Sequence, residues 1–209
     1  KTKDGVTMIV TWGDDLLIMS NDKLSSKLKE TFEKDGFEIS HFDDINGSKY
    51  LGMNVRYNKD KNILEIDQKE MIEALLNKTN MKESKSMSTP MYDNKEITKA
   101  DQPLEKLREV EVNFQVDGDE KKLREKTEEI KNEIKLMSKV PFRSILGSLS
   151  HTTRYTRCDI MYATFYLSRH QKDPGLAHWK GLTRELRYLK GTKDLKLKAD
   201  KNAPLFEMY

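Results

Sequence analysis

Asp14 and Asp15 stand side by side between two β-rich runs, Val6 to Trp12 and Leu16 to Met19. Residues 5–20 read GVTMIVTWGDDLLIMS, so the turn-prone Gly13-Asp14-Asp15 predicts a tight antiparallel hairpin with both acids at its tip. Two carboxylates held together and facing solvent attract a hard cation. Mg²⁺ prefers oxygen ligands and is bound by one or two carboxylates plus substrate phosphates, the arrangement used in two-metal phosphoryl transfer. An acidic dipeptide alone is also an ordinary turn, and Asp43-Asp44 in this chain reads as one. Aromatic-x-Asp-Asp after a hydrophobic strand and before Leu-Leu-Ile is a narrower pattern.

Other site chemistries find little support. His41, His151, His170 and His178 with Cys158 lack the paired spacing of zinc sites, and no glycine-rich phosphate loop is present. A single cysteine cannot form an internal disulfide, so the expected setting is a reducing, intracellular one. The 209 residues are 36% hydrophobic and 35% charged, with no apolar run near the ~20 residues of a membrane span, which argues against a membrane partner. The formal charge of +3 hides an asymmetry: residues 1–92 and 93–139 each sum to −2, whereas residues 140–209 sum to +7. The chain opens on Lys1 rather than Met, which suggests a fragment.

The elements that must position these groups follow from periodicity. Asp22 is expected to cap a helix with Leu24, Leu28 and Phe32 on one side, ended by Gly36, and Phe37 to His41 reads as a short strand. Lys49–Asn58 and Asn62–Ile66 read as a second hairpin across Asn58-Lys59-Asp60-Lys61, followed by a helix to about Thr79 capped by Asp67. Residues 82–103 are polar, contain Pro90 and Pro103, and read as a linker. Asp119 to Lys139 keeps a seam of Leu123, Ile130, Ile134 and Met137, too short for a coiled coil, and is expected to lie on the surface of its own protein. Three amphipathic helices follow: about 142–156, about 159–170 capped by Asp159, and one from Pro174 to Gly191 carrying Trp179, Leu182, Leu186 and Leu189. The segments are 1–81 with the Asp-Asp hairpin, 82–140 as linker and charged helix, and 141–209 as a helical region, in an α+β fold.

The ordered motifs resemble the reverse transcriptase of copia-type LTR retrotransposons. Trp12-Gly13-Asp14-Asp15 is similar to that family's Tyr-Val-Asp-Asp, and Tyr50-Leu51-Gly52-Met53, Ile66-Asp67-Gln68 and Met87-Ser88-Thr89-Pro90-Met91 look like its next landmarks. Phe142-Arg143-Ser144-Ile145-Leu146-Gly147-Ser148-Leu149, Thr156-Arg157-Cys158-Asp159-Ile160, Leu167-Ser168-Arg169, Pro174, His178-Trp179 and Arg187-Tyr188-Leu189-Lys190-Gly191-Thr192 follow in the same order. Only the charged stretch 93–139 lacks a counterpart.

The resemblance implies a partial polymerase palm of antiparallel hairpins plus helices, followed by a helical thumb/connection bundle. Asp14 and Asp15 would be the catalytic pair, holding Mg²⁺ (or Mn²⁺) in the complete polymerase. The hairpin residues Trp12, Gly13, Leu51, Gly52 and Met53 would lie near the primer terminus. Arg143, Arg154, Arg157, Arg169, Arg184 and Arg187 are the candidate contacts to a template-primer duplex, where neutralised phosphates release counterions. The remaining Pol polyprotein segments, upstream and downstream, are the expected partners. Trp12, Gly13 and Cys158 depart from the family's Tyr, its neighbour and a Pro. A further metal-binding aspartate and the fingers are expected upstream of Lys1, so the chain is expected to be inactive by itself. The alternative is a non-catalytic or co-opted remnant that binds nucleic acid or protein.

Overall fold

The computed structural model describes residues 5–39, 42, 46–58, 60–92, 96–200 and 207–208. The fold is mixed α/β, with seven α-helices and two small sheets among the described residues. It divides into two compact units, Lys1–Ile66 with Lys198–Phe206, and Asp67–Leu197 with Glu207–Tyr209.

In the first unit, β1 (Met8–Trp12) pairs antiparallel with β2 (Asp15–Met19), from Met8 opposite Met19 to Trp12 opposite Asp15. The loop is Gly13-Asp14. Gly13 has φ +58° and Asp14 a negative φ, the sign pattern of a II′ turn with glycine at its first central position. No residue of either strand is buried. Helix α1 (Asp22–Lys34) is capped by Asn21, whose Oδ1 accepts from the Leu24 amide at 2.9 Å. Asp22 lies instead in the first turn, where its charge complements the helix dipole. No strand forms over 37–39, where the Phe37 ring turns edge-on to Phe32 at 5.8 Å; His41 and the Asp43-Asp44 pair lie outside the described residues.

The second sheet carries β3 (Lys49–Tyr50), β4 (Met53–Asn58), β5 (Ile63–Asp67) and β6 (Leu197–Asp200) in that order, with the two-residue β7 (Glu207–Met208) ending the series. The expected strand 49–58 is two strands. Leu51 and Gly52, at φ +51° and +76°, fold it back in the both-positive pattern of a type I′ turn, so Lys49 faces Asn54 and Tyr50 faces Met53. Alternation along β4 turns Met53 and Val55 inward.

The second unit contains α2 (Lys69–Lys78), α3 (Pro103–Asp117), α4 (Glu120–Met137), α5 (Phe142–Tyr155), α6 (Met161–Ser168) and α7 (Leu176–Gly191), with short 3-10 turns at Lys99–Asp101 and Cys158–Ile160. Its core interleaves Ile72, Leu75 and Leu76 of α2 with Ile145, Leu146 and Leu149 of α5, Leu167 of α6, and Leu182, Leu186 and Leu189 of α7. Helix α2 therefore packs with the helices, although the sequence reading grouped it with the segment 1–81. Its three apolar residues at i, i+3, i+4 find their partners there.

The polar stretch 82–103 is not a loose connection. Arg187 Nε donates to the Lys85 carbonyl at 2.5 Å, Lys190 Nζ to the Ser84 carbonyl, and the Met87 amide to the Arg187 carbonyl at 3.2 Å. Arg184 Nε donates to the Met91 carbonyl at 2.8 Å, its Nη2 to Thr89 Oγ1 at 2.6 Å, and its guanidinium lies 4.4 Å from the Tyr92 ring centre. Helix α7 thus holds residues 84–92 along its side. Helix α3, which begins at Pro103, has weak amphipathicity and escapes a periodicity reading. Gly118 closes it in the left-handed conformation, and Asp119 then caps α4 by accepting from the Lys122 amide at 3.1 Å. Among the described residues no helix is long and apolar enough to cross a membrane.

Candidate functional site

The Asp14-Asp15 pair sits where a ligand can reach it. Both residues are exposed, Asp14 in the turn and Asp15 at the head of β2, and Trp12 across the ladder is 63% exposed. Nothing lies within 4 Å of a Cβ built on Gly13, so its glycine is required by the positive φ and not by crowding. Among the described residues no group of three or more His, Cys, Asp or Glu side chains could hold a metal. The tip therefore offers two carboxylates, a donor set that fits Mg²⁺ whose other ligands are water and substrate phosphates. A two-metal centre requires more donors.

The other hairpin residues, Leu51, Gly52 and Met53, belong to the second sheet. Leu51 is in the left-handed region, which residues other than glycine adopt sparsely, and the Met53 side chain is buried.

The six arginines part into two groups. Arg157 is 0% exposed: its Nε and Nη2 grip Asp159 at 2.9 and 2.7 Å, and Nη1 and Nη2 donate to the Thr192 carbonyl and hydroxyl. It is a structural pin of the helical unit, which removes it from a surface contact set. Burial pushes the Asp159 carboxyl up, but the Arg157 guanidinium and the Tyr188 hydroxyl outweigh it and hold the group below the usual range. Arg184 and Arg187 are half-buried and engaged with residues 84–92. Arg143, Arg154 and Arg169 are exposed.

Three further buried polar groups lie in the second unit. Glu185 of α7 is 0% exposed; Thr164 Oγ1 donates to its Oε1 while Oε2 has no partner, and burial pushes its carboxyl up to about 8. His178 accepts the Gly175 amide at Nδ1, 3.0 Å, with its ring 4.4 Å from that of His170, and burial together with His170 pushes it down to about 4. Glu133 takes the seam position expected for Ile134: it pairs with Lys106 of α3 at 2.8 Å and accepts the Leu176 amide at 2.6 Å, docking α4 on the start of α7. A polar residue at a seam position is the signal that could have located Glu133.

Helix α6 has a second, outward face that the reading of Ala163 and Leu167 passed over. Met161, Tyr162 and Phe165 are exposed, and the helix is apolar all round. Tyr162 stacks on Tyr166 at 6.0 Å and 29°, and the Arg169 guanidinium lies 5.6 Å from the Tyr166 ring centre.

Comparison with known proteins finds relatives along most of the chain. The chain is 30% identical over 192 residues to the retrovirus-related Pol polyprotein from transposon TNT 1-94 of Nicotiana tabacum, covering 91% of this chain and 12% of that protein. Its homologues are retrotransposon Pol polyproteins. Two from Arabidopsis thaliana, of transposons RE2 and RE1, are 27% and 26% identical over 191 and 192 residues, each covering 90% of this chain and 10% of the Pol polyprotein. The chain thus spans about a tenth of the length of the curated Pol polyproteins it matches. No protein-family model matches it, and no solved structure does.

Proposed function

We propose that the chain is the C-terminal part of the reverse transcriptase segment of a copia-type Pol polyprotein, a piece of an RNA-directed DNA polymerase. The observation that carries this reading is the exposed Asp14-Asp15 pair at the tip of an antiparallel hairpin, in a chain nine-tenths of which aligns with Pol polyproteins. Residues 5–66 act as a partial palm and the helices from Phe142 onward as a thumb/connection region. Asp14 and Asp15 hold Mg²⁺ or Mn²⁺, which supplies charge neutralisation to the attacking and leaving oxygens of nucleotidyl transfer. Trp12 offers its ring beside the pair. The remaining donors come from other parts of the longer Pol polypeptide, which is also the partner of this segment, and the location is an intracellular particle or the nucleus. Arg143, Arg154 and Arg169 are the arginines placed to meet phosphates of a template-primer duplex.

Mn²⁺ titration of the full chain with a primed template, followed by electron paramagnetic resonance, tests the metal role. Bound Mn²⁺ should be lost in an Asp14→Asn, Asp15→Asn double variant. Undiminished Mn²⁺ binding by that variant overturns it. Nucleic-acid affinity that survives the double substitution while no Mn²⁺ binds to either protein would instead favour a non-catalytic binder.

A further inference from the structure

We propose that the outward face of α6 binds single-stranded nucleic acid by stacking an unpaired base on Tyr162. The inference rests on the reading of the chain as a nucleic-acid-handling Pol segment and adds a strand type, a residue and a mode of contact to it. A helix that is apolar all round is normally enclosed. Here Met161, Tyr162 and Phe165 face solvent, with Tyr162 69% exposed. The platform beneath Tyr162 is anchored: the Tyr166 ring on which it stacks is half-buried, and the Tyr166 hydroxyl donates to the Ile97 carbonyl. Tyr162 is therefore a ring already oriented by a fixed neighbour, with most of its surface open.

Charge selects the occupant. From Pro141 through Lys172 the chain carries five basic residues and one acid, and that acid, Asp159, is paired with buried Arg157. The exposed charges of this stretch, Arg143, Arg154, Arg169 and Lys172, are all positive. One carboxylate from outside the stretch, exposed Glu96, acts on Tyr166. An aromatic pair with the Arg169 guanidinium beside it fits a polyanion whose repeating unit has a flat π-face, because stacking and phosphate neutralisation are then satisfied together. Bases within a duplex already have both faces covered by their neighbours, so an unpaired strand is the form that can use Tyr162.

Fluorescence anisotropy of the full chain with a labelled oligothymidylate of about 20 nucleotides, and with a duplex of the same length, provides the test. Tyr162→Ala should weaken single-strand binding by about 5- to 100-fold and change duplex binding by less than about twofold, whereas Tyr162→Trp should retain both. Glu96→Gln should tighten single-strand binding. An abasic strand should bind like thymidylate does to the Tyr162→Ala variant. Single-strand affinity indifferent to Tyr162→Ala, with duplex still bound, overturns this inference and leaves the Pol reading standing. Failure of the unaltered chain to bind either strand form overturns both. A dimer lost in Tyr162→Ala with single-strand affinity unchanged would give the face to a second copy of the chain and also overturn the proposal.

Discussion

Residues 8–19 are richer in apolar side chains than residues 142–189, yet it is the second stretch that buries them. Met8, Ile9, Val10, Trp12, Leu16 and Met19 are exposed, while Leu149, Leu182, Leu186 and Leu189 have no solvent exposure. Among the described residues, the buried apolar side chains of the stretch 5–66 are Met53 and Val55. The difference is one of partners. A two-stranded hairpin is marginal without a further strand or a helix across its face, whereas α2, α5, α6 and α7 bury their apolar residues against one another. Apolar pattern specifies an element; burial requires something to be buried against.

The comparison can be broken by cutting equal amounts from the two regions. Removing the Arg157 side chain should cost the most, about 3–5 kcal/mol, because Asp159 would be left as a partly buried charge without its cation. Chemical denaturation of Arg157→Ala followed by circular dichroism measures it. Leu149→Ala should cost about 2–5 kcal/mol, against less than about 1 kcal/mol for Ile9→Ala, and similar losses at the two positions would abolish the contrast.

The helical unit should also respond to pH. Glu185 has a folded pKa of about 8, raised by burial, so its contribution is fully present below the unfolded value near 4.5 and is lost as pH rises toward 8. Stability should fall by roughly 3 kcal/mol between pH 5 and pH 8 from this group, and the Glu185→Gln variant should lack that slope. The smallest effect is expected at the tip of β1 and β2: Asp14→Asn with Asp15→Asn should alter stability by under about 0.5 kcal/mol, since both groups are exposed. A larger change would mean that the pair supports the fold as well as any ligand.

Much of this was legible from residue order. The hairpin around Gly13, the spacing of Phe142, Ile145, Leu146 and Leu149, and the repeat ending at Gly191 mark β1, β2, α5 and α7, because local turn chemistry and a 3.6-residue period dictate them. The turn at Leu51 follows from the resemblance and not from the residue pattern of 49–58, since a leucine in the left-handed region contradicts its own propensity and accompanies the pairing of Lys49 with Asn54. Nor did Arg157, Glu133 or Glu185 declare themselves. Their types point outward, and only tertiary partners such as Thr192, Leu176 and Thr164 explain why they are inside. At the candidate site, the acidic pair was readable from its flanking strands, whereas the split of the arginines into engaged and exposed sets depends on side-chain geometry that no spacing encodes.

Lys82 and Lys85 offer trypsin two cleavage points in a stretch whose polarity marks it as open. A protease, however, must draw several residues of extended chain into its cleft, and here the carbonyls of Ser84, Lys85 and Met91 are clasped by side chains 93 to 106 positions further along. Digestion at those lysines would thus time the loosening of α7 itself, making an inconspicuous tract a gauge of the bundle it is fastened to.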